Sequence, residues 1–281
     1  MFTKGRRARL LLLAAIFASM SMSSIMPLAH ASGRSLKAGD TWTLSVSYNH
    51  YAVGWGSDLG NYNETGHYLD TFTVESNSQG ILMLSEIKTV TWTSVGFGFF
   101  GEGQNGTNTF NYRYVINATT LNVISETGSN SSTGHPAWML IDPSTLVQGA
   151  TVARTWWAPS FGSTTFSSPY TVPNVVSTVP DVVSGNKTIS FKGESLNVWN
   201  LVYTGNGIGM SAIVAGTGVV YSTGKETDTT QFDHTYGILV GLTIVGTYSG
   251  SYGTGGWTDS KTYSGQITAS NLSFGSSYSY P

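Results

Sequence analysis

The densest grouping of potential ligand side chains in this sequence is Asp228, Asp233 and His234. Carboxylates and an imidazole in so short a span can hold a divalent cation, and they can equally fasten a tight turn through side-chain oxygens. The turn is the better reading. His50, His67 and His135 stand far apart, and no H-x-x-x-H pair occurs. Cysteine is absent, which excludes thiolate metal sites and cysteine nucleophiles. No G-x-S-x-G elbow presents a serine nucleophile. Neither Asp-Thr-Gly nor Asp-Ser-Gly occurs to suggest an aspartic dyad. A glycosidase pair needs two acids about 5–10 Å apart. The chain has 15 Asp+Glu, and spacing alone does not choose a pair among them. No catalytic, cofactor-binding or metal-ligating residue is assigned.

Gly96-Phe97-Gly98-Phe99-Phe100-Gly101 matches the dinucleotide pattern G-x-G-x-x-G in form only. That motif works by presenting a helix N-terminus to a pyrophosphate, and here Glu102-Gly103-Gln104-Asn105-Gly106 follows. The stretch reads as an aromatic loop, with Phe97, Phe99 and Phe100 as a candidate contact surface. Trp156 and Trp157 form a second candidate contact surface. Asn63, Asn105, Asn117, Asn130, Asn186 and Asn271 each begin an N-x-Ser/Thr acceptor for glycosylation. No cofactor is expected.

The elements that must position these residues are strands. Trp42, Leu44, Val46 and Tyr48 alternate with Thr41, Thr43, Ser45 and Ser47, the period of a half-buried strand. Phe110, Tyr112, Tyr114 and Ile116 alternate in the same way. Ile189–Phe191 and Leu196–Tyr203 read as a hairpin around Lys192-Gly193-Glu194. Ile238–Val245 is apolar on both faces and reads as a doubly covered strand, and Tyr263–Ala269 as the last one. Gln79-Gly80 and Tyr236-Gly237 read as turns that need glycine at positive φ. No window shows a capped 3.6-residue period. The fold class is therefore all-β: large antiparallel sheets, as a sandwich or a strongly curved half-barrel. Trp156–Gly185 carries Pro159, Pro169, Pro173 and Pro180, half of the 8 prolines. Proline interrupts central strands, so this span reads as a long loop, or as a join between two lobes.

Lys4, Arg6, Arg7 and Arg9 precede the apolar run Leu10–Met20, and Ala29-His30-Ala31 closes the segment. That is the pattern of a cleaved signal peptide over residues 1–31. The run falls short of the ~20 residues that span a bilayer. The mature chain, Ser32–Pro281, reads as one β-rich domain, extracellular or at the cell surface. Loss of the four signal cations leaves the 15 acids in excess, so a nucleic-acid partner is not expected. Charged residues make up 10% of the chain, against about 25% in ordinary soluble proteins. Few paired carboxylates means little stability to lose in acid.

Gly39-Asp40-Thr41-Trp42 near the start and Asp233-His234-Thr235-Tyr236-Gly237-Ile238-Leu239 near the end together resemble a group of secreted archaeal β-rich proteins. That group has a Gly-Asp-x-Trp first strand and a late Asp-x-x-x-Gly-x-Leu hairpin. The resemblance implies a large, curved antiparallel sheet, and it supplies no catalytic residues. In this chain Tyr236 stands where Thr or Glu is commoner.

The function expected from the sequence is a non-enzymatic structural or adhesive role at the cell surface. It includes self-assembly as a surface-layer or filament subunit, by donation of Ser32–Tyr48 to a neighbour's sheet. The partners would be other copies or cell-surface components. A lipid- or glycan-binding module on a curved sheet is one alternative, and an acid-acting secreted hydrolase is the other.

Overall fold

The computed structural model describes residues 35–55, 60–96, 103–128, 133–157, 176–214 and 218–274. The leader 1–31, the aromatics Phe97, Phe99 and Phe100, and Asn130 lie outside them. Eleven strands follow one another: β1 (Thr41–Trp55), β2 (Asn61–Ser78), β3 (Ile81–Gly96), β4 (Asn105–Asn117), β5 (Val123–Thr127), β6 (Thr151–Trp157), β7 (Val176–Phe191), β8 (Glu194–Val214), β9 (Gly218–Asp233), β10 (Leu239–Tyr252) and β11 (Gly255–Ser270). Every pairing is antiparallel. All strands join one sheet in the order β5-β4-β3-β2-β1-β11-β10-β9-β8-β7-β6. The first and last strands meet in its middle, so the sheet is two meanders joined along β1 and β11. The outermost strands β5 and β6 do not pair, which leaves the sheet unclosed.

Period-2 alternation decides which side chains face inward. Trp42, Leu44, Val46 and Tyr48 of β1 are buried, as the sequence pattern requires. Phe72 stacks on Trp42 at 5.0 Å, and Trp138 packs edge-on against Phe72 at 5.5 Å. Leu84, Ile116, Met139 and Ile238 complete this apolar end, all within one core cluster. Each such side chain contributes roughly 1.5–3 kcal/mol by leaving water. The connection between the meanders joins this core: Leu239 N–H donates to Met139 O at 3.0 Å, and Ile141 N–H to Gly237 O at 2.8 Å. The outer face carries hydroxyls instead, paired across strands as Thr43–Thr71 (3.1 Å), Thr91–Thr107 (3.1 Å) and Thr89–Thr109 (3.3 Å). Cross-strand threonine pairs solvate the sheet without charge, which accounts for the low charge content.

Several sequence expectations need correction. The proline-rich span is not wholly loop, because β6 and the first half of β7 occupy its ends. Pro180 lies within β7, opposite Ala153 of β6. β8 pairs with β7 only from Val182 onward, so among the described residues Pro180 has a neighbouring strand on one side alone, and its missing N–H costs no ladder bond on the other. Both strands belong to the common sheet. β10 is covered on both faces only at its start. Leu239, Val240 and Leu242 are buried, whereas Val245 is 49% exposed. The turns follow the reading: Gln79-Gly80 and Lys192-Gly193 both have positive φ, as two-residue hairpins require.

Candidate functional site

Away from the apolar end, the inner face becomes polar. Of the chain's 15 acids, Glu64, Asp70, Glu86, Glu126, Asp181, Glu226, Asp228, Asp233 and Asp259 are buried. All lie on strands, Asp233 as the last residue of β9. The strand register lines many of them up. One row crosses the sheet as Ser94 (β3), Glu64 (β2), His50 (β1), Lys261 (β11), Gly246 (β10) and Glu226 (β9). The next runs through Trp92, Gly66, Tyr48, Tyr263, Ile244 and Asp228.

Tyrosines satisfy much of the first row. Glu64 accepts from Tyr48 Oη at 3.0 Å and from Tyr62 Oη. Burial raises its pKa against the pull of these two donors. His50 Nε2 meets Tyr263 Oη at 2.5 Å. Burial holds the Tyr263 phenol far above its usual range, so it keeps its proton and donates. Burial, with the charge of Lys261, pushes His50 down to about 3, so the imidazole is neutral and accepts. Lys261 Nζ reaches past Gly246 to Glu226 Oε2 at 2.5 Å, and Tyr248 Oη donates to the same oxygen.

Two pairs of carboxyls are buried side by side, one in each meander. On β9, burial and the charge of Glu226 push Asp228 up to about 7, so it donates to Glu226. Arg154 of β6 binds Asp181 and sits 3.4 Å from Asp228 Oδ2. On β2 and β3, burial and the charge of Asp70 push Glu86 up to about 8, and Glu86 donates to Asp70. Lys88 is 3.3 Å from Asp70 Oδ2 and lies 4.1 Å over the Tyr68 ring. Tyr114 Oη donates to Glu86 at 2.7 Å. A protonated carboxyl beside an ionised one is a general acid next to a base.

Both pairs are buried: Glu226, Asp228 and Asp70 are each 1% exposed and Glu86 2%. They differ in what stands beside them. The Asp70–Glu86 pair adjoins a half-open lip. β5 covers β4 only from Arg113 to Ile116, so Asn105–Tyr112 has no strand on its far side among the described residues. There Trp92, Phe110 and Tyr112 are half-buried and rest against the core. Phe110 and Tyr112 stack with centroids 6.4 Å apart. Burial, then the charges of Glu86, Asp70 and Glu126, push the Tyr112 phenol up to about 12. Lys88, 15% exposed at its side chain, lies opposite Phe110 in the strand register.

The expected contact and modification residues are scattered. Trp156 and Trp157 lie on the edge strand β6, opposite Ser177 and Val176. Asn63, Asn105 and Asn186 are exposed on strands. Asn117 closes a turn by accepting from Thr119 N–H (2.9 Å) and Thr120 N–H (3.0 Å). Asn271 accepts from Thr41 N–H and donates to Gly39 O, both at 2.8 Å. The Asp228, Asp233 and His234 grouping divides. Asp228 turns to the inner face, and His234 stacks on Trp199 at 4.8 Å. Asp233 fastens the turn, accepting from the N–H groups of Thr235 (2.8 Å), Tyr236 (2.8 Å) and Ile238 (2.9 Å). Among the described residues no group of three or more His, Cys, Asp or Glu could hold a metal ion, and no helix is long and apolar enough to cross a membrane.

The sequence reading missed the inner acids, although their signal is present. In β2, Tyr62, Glu64, Tyr68, Asp70, Phe72 and Val74 all share one parity. An acid in phase with buried aromatics marks an inward carboxyl. Comparison with known proteins adds no assignment: no protein-family model and no curated protein matches this chain.

Proposed function

We propose that this chain is an exported, non-enzymatic adhesive β protein of the cell surface, and that it holds a neutral glycan against the inner lip of its sheet. One juxtaposition carries the reading: across β3 and β4 the half-buried Tyr112 lies opposite Glu86 and the half-buried Phe110 opposite Lys88, with Trp92 further along β3. Aromatic faces stack on the apolar faces of sugars, while carboxyls and an ammonium bond their hydroxyls. The leader-like N-terminus and the sparsely charged outer face support life outside the cell. Donation of Ser32–Tyr48 to a neighbour does not enter this reading, because Thr41–Tyr48 is already paired on both sides, with β2 and β11.

The test is binding of neutral oligosaccharides to the mature protein between pH 3 and 5, by calorimetry. Phe110→Ala and Tyr112→Ala weaken binding at least tenfold while the unfolding midpoint moves little. Absence of binding to every neutral oligosaccharide tried, or binding indifferent to both substitutions, sinks the proposal.

The second reading is an acid-acting hydrolase, and the raised Glu86 carboxyl beside Asp70 favours it. The same oligosaccharides then release reducing ends in acid, and Glu86→Gln abolishes the release. Intact oligosaccharide after prolonged incubation leaves the adhesive reading standing.

A further inference from the structure

Lys261, Gly246 and Glu226 form one row across β11, β10 and β9, in the meander that does not carry the aromatic lip. Lys261 Nζ stands 2.5 Å from Glu226 Oε2, with both side chains buried. Gly246 leaves the path between them open, and a Cβ there would overlap the Tyr248 hydroxyl. That hydroxyl donates to the same oxygen that the lysine touches. Asp228, two residues along β9, donates to the same carboxyl. Arg154 of β6 stands 3.4 Å from Asp228 Oδ2. His50, the neighbour of Lys261 on β1, is neutral and adds no competing charge. A lysine nitrogen is thus held against a carboxyl, with a hydroxyl and a proton-bearing acid beside it, where water is scarce.

Two buried charges carry the cost of leaving water even when they are paired. Condensation to an amide removes both charges at once. In bulk water hydrolysis opposes that reaction, but fixed neighbours and the exclusion of water favour it. The chain has no cysteine, so no disulfide ties its strands. An amide link between side chains needs no oxidant.

We infer that Lys261 and Glu226 condense to an isopeptide bond that ties β11 to β9 across β10. The ion pair described here is the reactant. A proton passes from Nζ to the Glu226 carboxylate, which leaves an amine beside a carboxyl. The nitrogen lone pair attacks Glu226 Cδ, and the N–C bond forms. Tyr248 Oη holds the oxygen on which negative charge gathers. The other oxygen takes the Asp228 proton and leaves as water, so one C–O bond breaks and the C=O is restored. The nitrogen then gives its extra proton to Asp228, which ends as it began. Arg154 supports the Asp228 carboxylate while it is charged. One water is lost, and nothing is oxidised or reduced. Lys88 and Asp70 of the other meander are the built-in comparison. They stand 3.3 Å apart, and Lys88 is the more exposed lysine, so they remain an ion pair.

The experiment measures the mass of the mature chain, unfolded for the measurement after incubation in the folded state. The chain is expected to be one water lighter than its sequence. Proteolysis then yields a branched peptide that joins Lys261 to Glu226. Lys261→Arg and Glu226→Ala have the full mass of their sequences. Asp228→Asn forms the bond at least ~10-fold more slowly, as loss of a general acid requires, with an unchanged circular dichroism spectrum. If Asp228→Asn fails to fold, Tyr248→Phe keeps the ring, loses the hydroxyl and slows the bond in its place. A parent chain of full mass after prolonged incubation overturns the inference. So does a lost water confined to one unbranched peptide, as an aspartyl succinimide gives, or a link that maps to Lys88 and Asp70. An Asp228→Asn protein that links at the parent's rate overturns it as well. None of these substitutions lies on β3 or β4, so glycan binding stands or falls independently.

Discussion

The ring of Tyr48 lies flat over Gly66 of the adjacent strand: a Cβ built on Gly66 would stand 2.4 Å from Tyr48 Cζ. Trp257 covers Gly250 in the same way, at 2.3 Å. These aromatic–glycine pairs pave the inner face, so large rings fit inside a sheet whose acids need the remaining room. Gly66→Ala therefore forces Tyr48 off its place beside Glu64. A loss of ~1–3 kcal/mol by overpacking is expected, read as a lower urea midpoint with an unchanged slope.

Stability is expected to peak in acid. Glu86, Asp228 and Asp233 have pKa values raised to about 8, 7 and 6, chiefly by burial. A raised carboxyl stabilises the fold fully below its unfolded pKa and loses that contribution as pH rises through the folded value. Each of the three therefore weakens the protein between about pH 4 and its own folded pKa. His50 has the opposite sign. Its pKa is lowered to about 3, so its contribution is complete above about 6.5 and is lost as pH falls toward 3. The carboxyls outnumber it, which puts the optimum near pH 4. Urea midpoints from pH 2 to 9 check this. Glu86→Gln flattens the decline between about pH 4.5 and 8, because the amide stays neutral and still donates to Asp70.

Lys261 and Glu226 form a buried ion pair at 2.5 Å, with side chains 7% and 0% exposed. Removing one partner strands the other in a low dielectric. Lys261→Met alone is expected to cost ~3–5 kcal/mol, whereas Lys261→Met with Glu226→Gln costs clearly less. A double-mutant cycle by urea unfolding measures the difference. Additive losses would show that the two groups act independently.

Asp233 holds three backbone N–H groups in the turn before β10. Asp233→Ala leaves them without an acceptor at a buried site, at about 1–3 kcal/mol for each one unsatisfied. Gly237 in the same turn has φ +67, and a Cβ there would stand 1.9 Å from Ile141 O. Gly237→Ala is accordingly as damaging as Asp233→Ala. Thermal unfolding of the two variants tests this, and a midpoint shift of only a degree or two for either would remove the turn from the stability argument.

The alternation in Thr41–Tyr48 and in Phe110–Ile116 determined, without any structure, that these segments are strands and which side chains face inward. Glycines at Gly80, Gly193 and Gly237 marked turns for the local reason that positive φ is costly to other residues. Asp233 was legible as a turn residue on the same grounds. The sequence did not determine that β1 lies between β2 and β11, because hydrogen bonding between strands is set by backbone groups that every residue carries. The segment read as a strand for export to a neighbour is thus the centre of its own sheet. Tertiary pairing alone placed Pro180 where β7 has a single neighbour. It also brought Glu86 of β3 to Asp70 of β2, and Lys261 of β11 past Gly246 to Glu226. Parity along a strand is a covalent property. Register between strands is a collective one, and the candidate site is made of register.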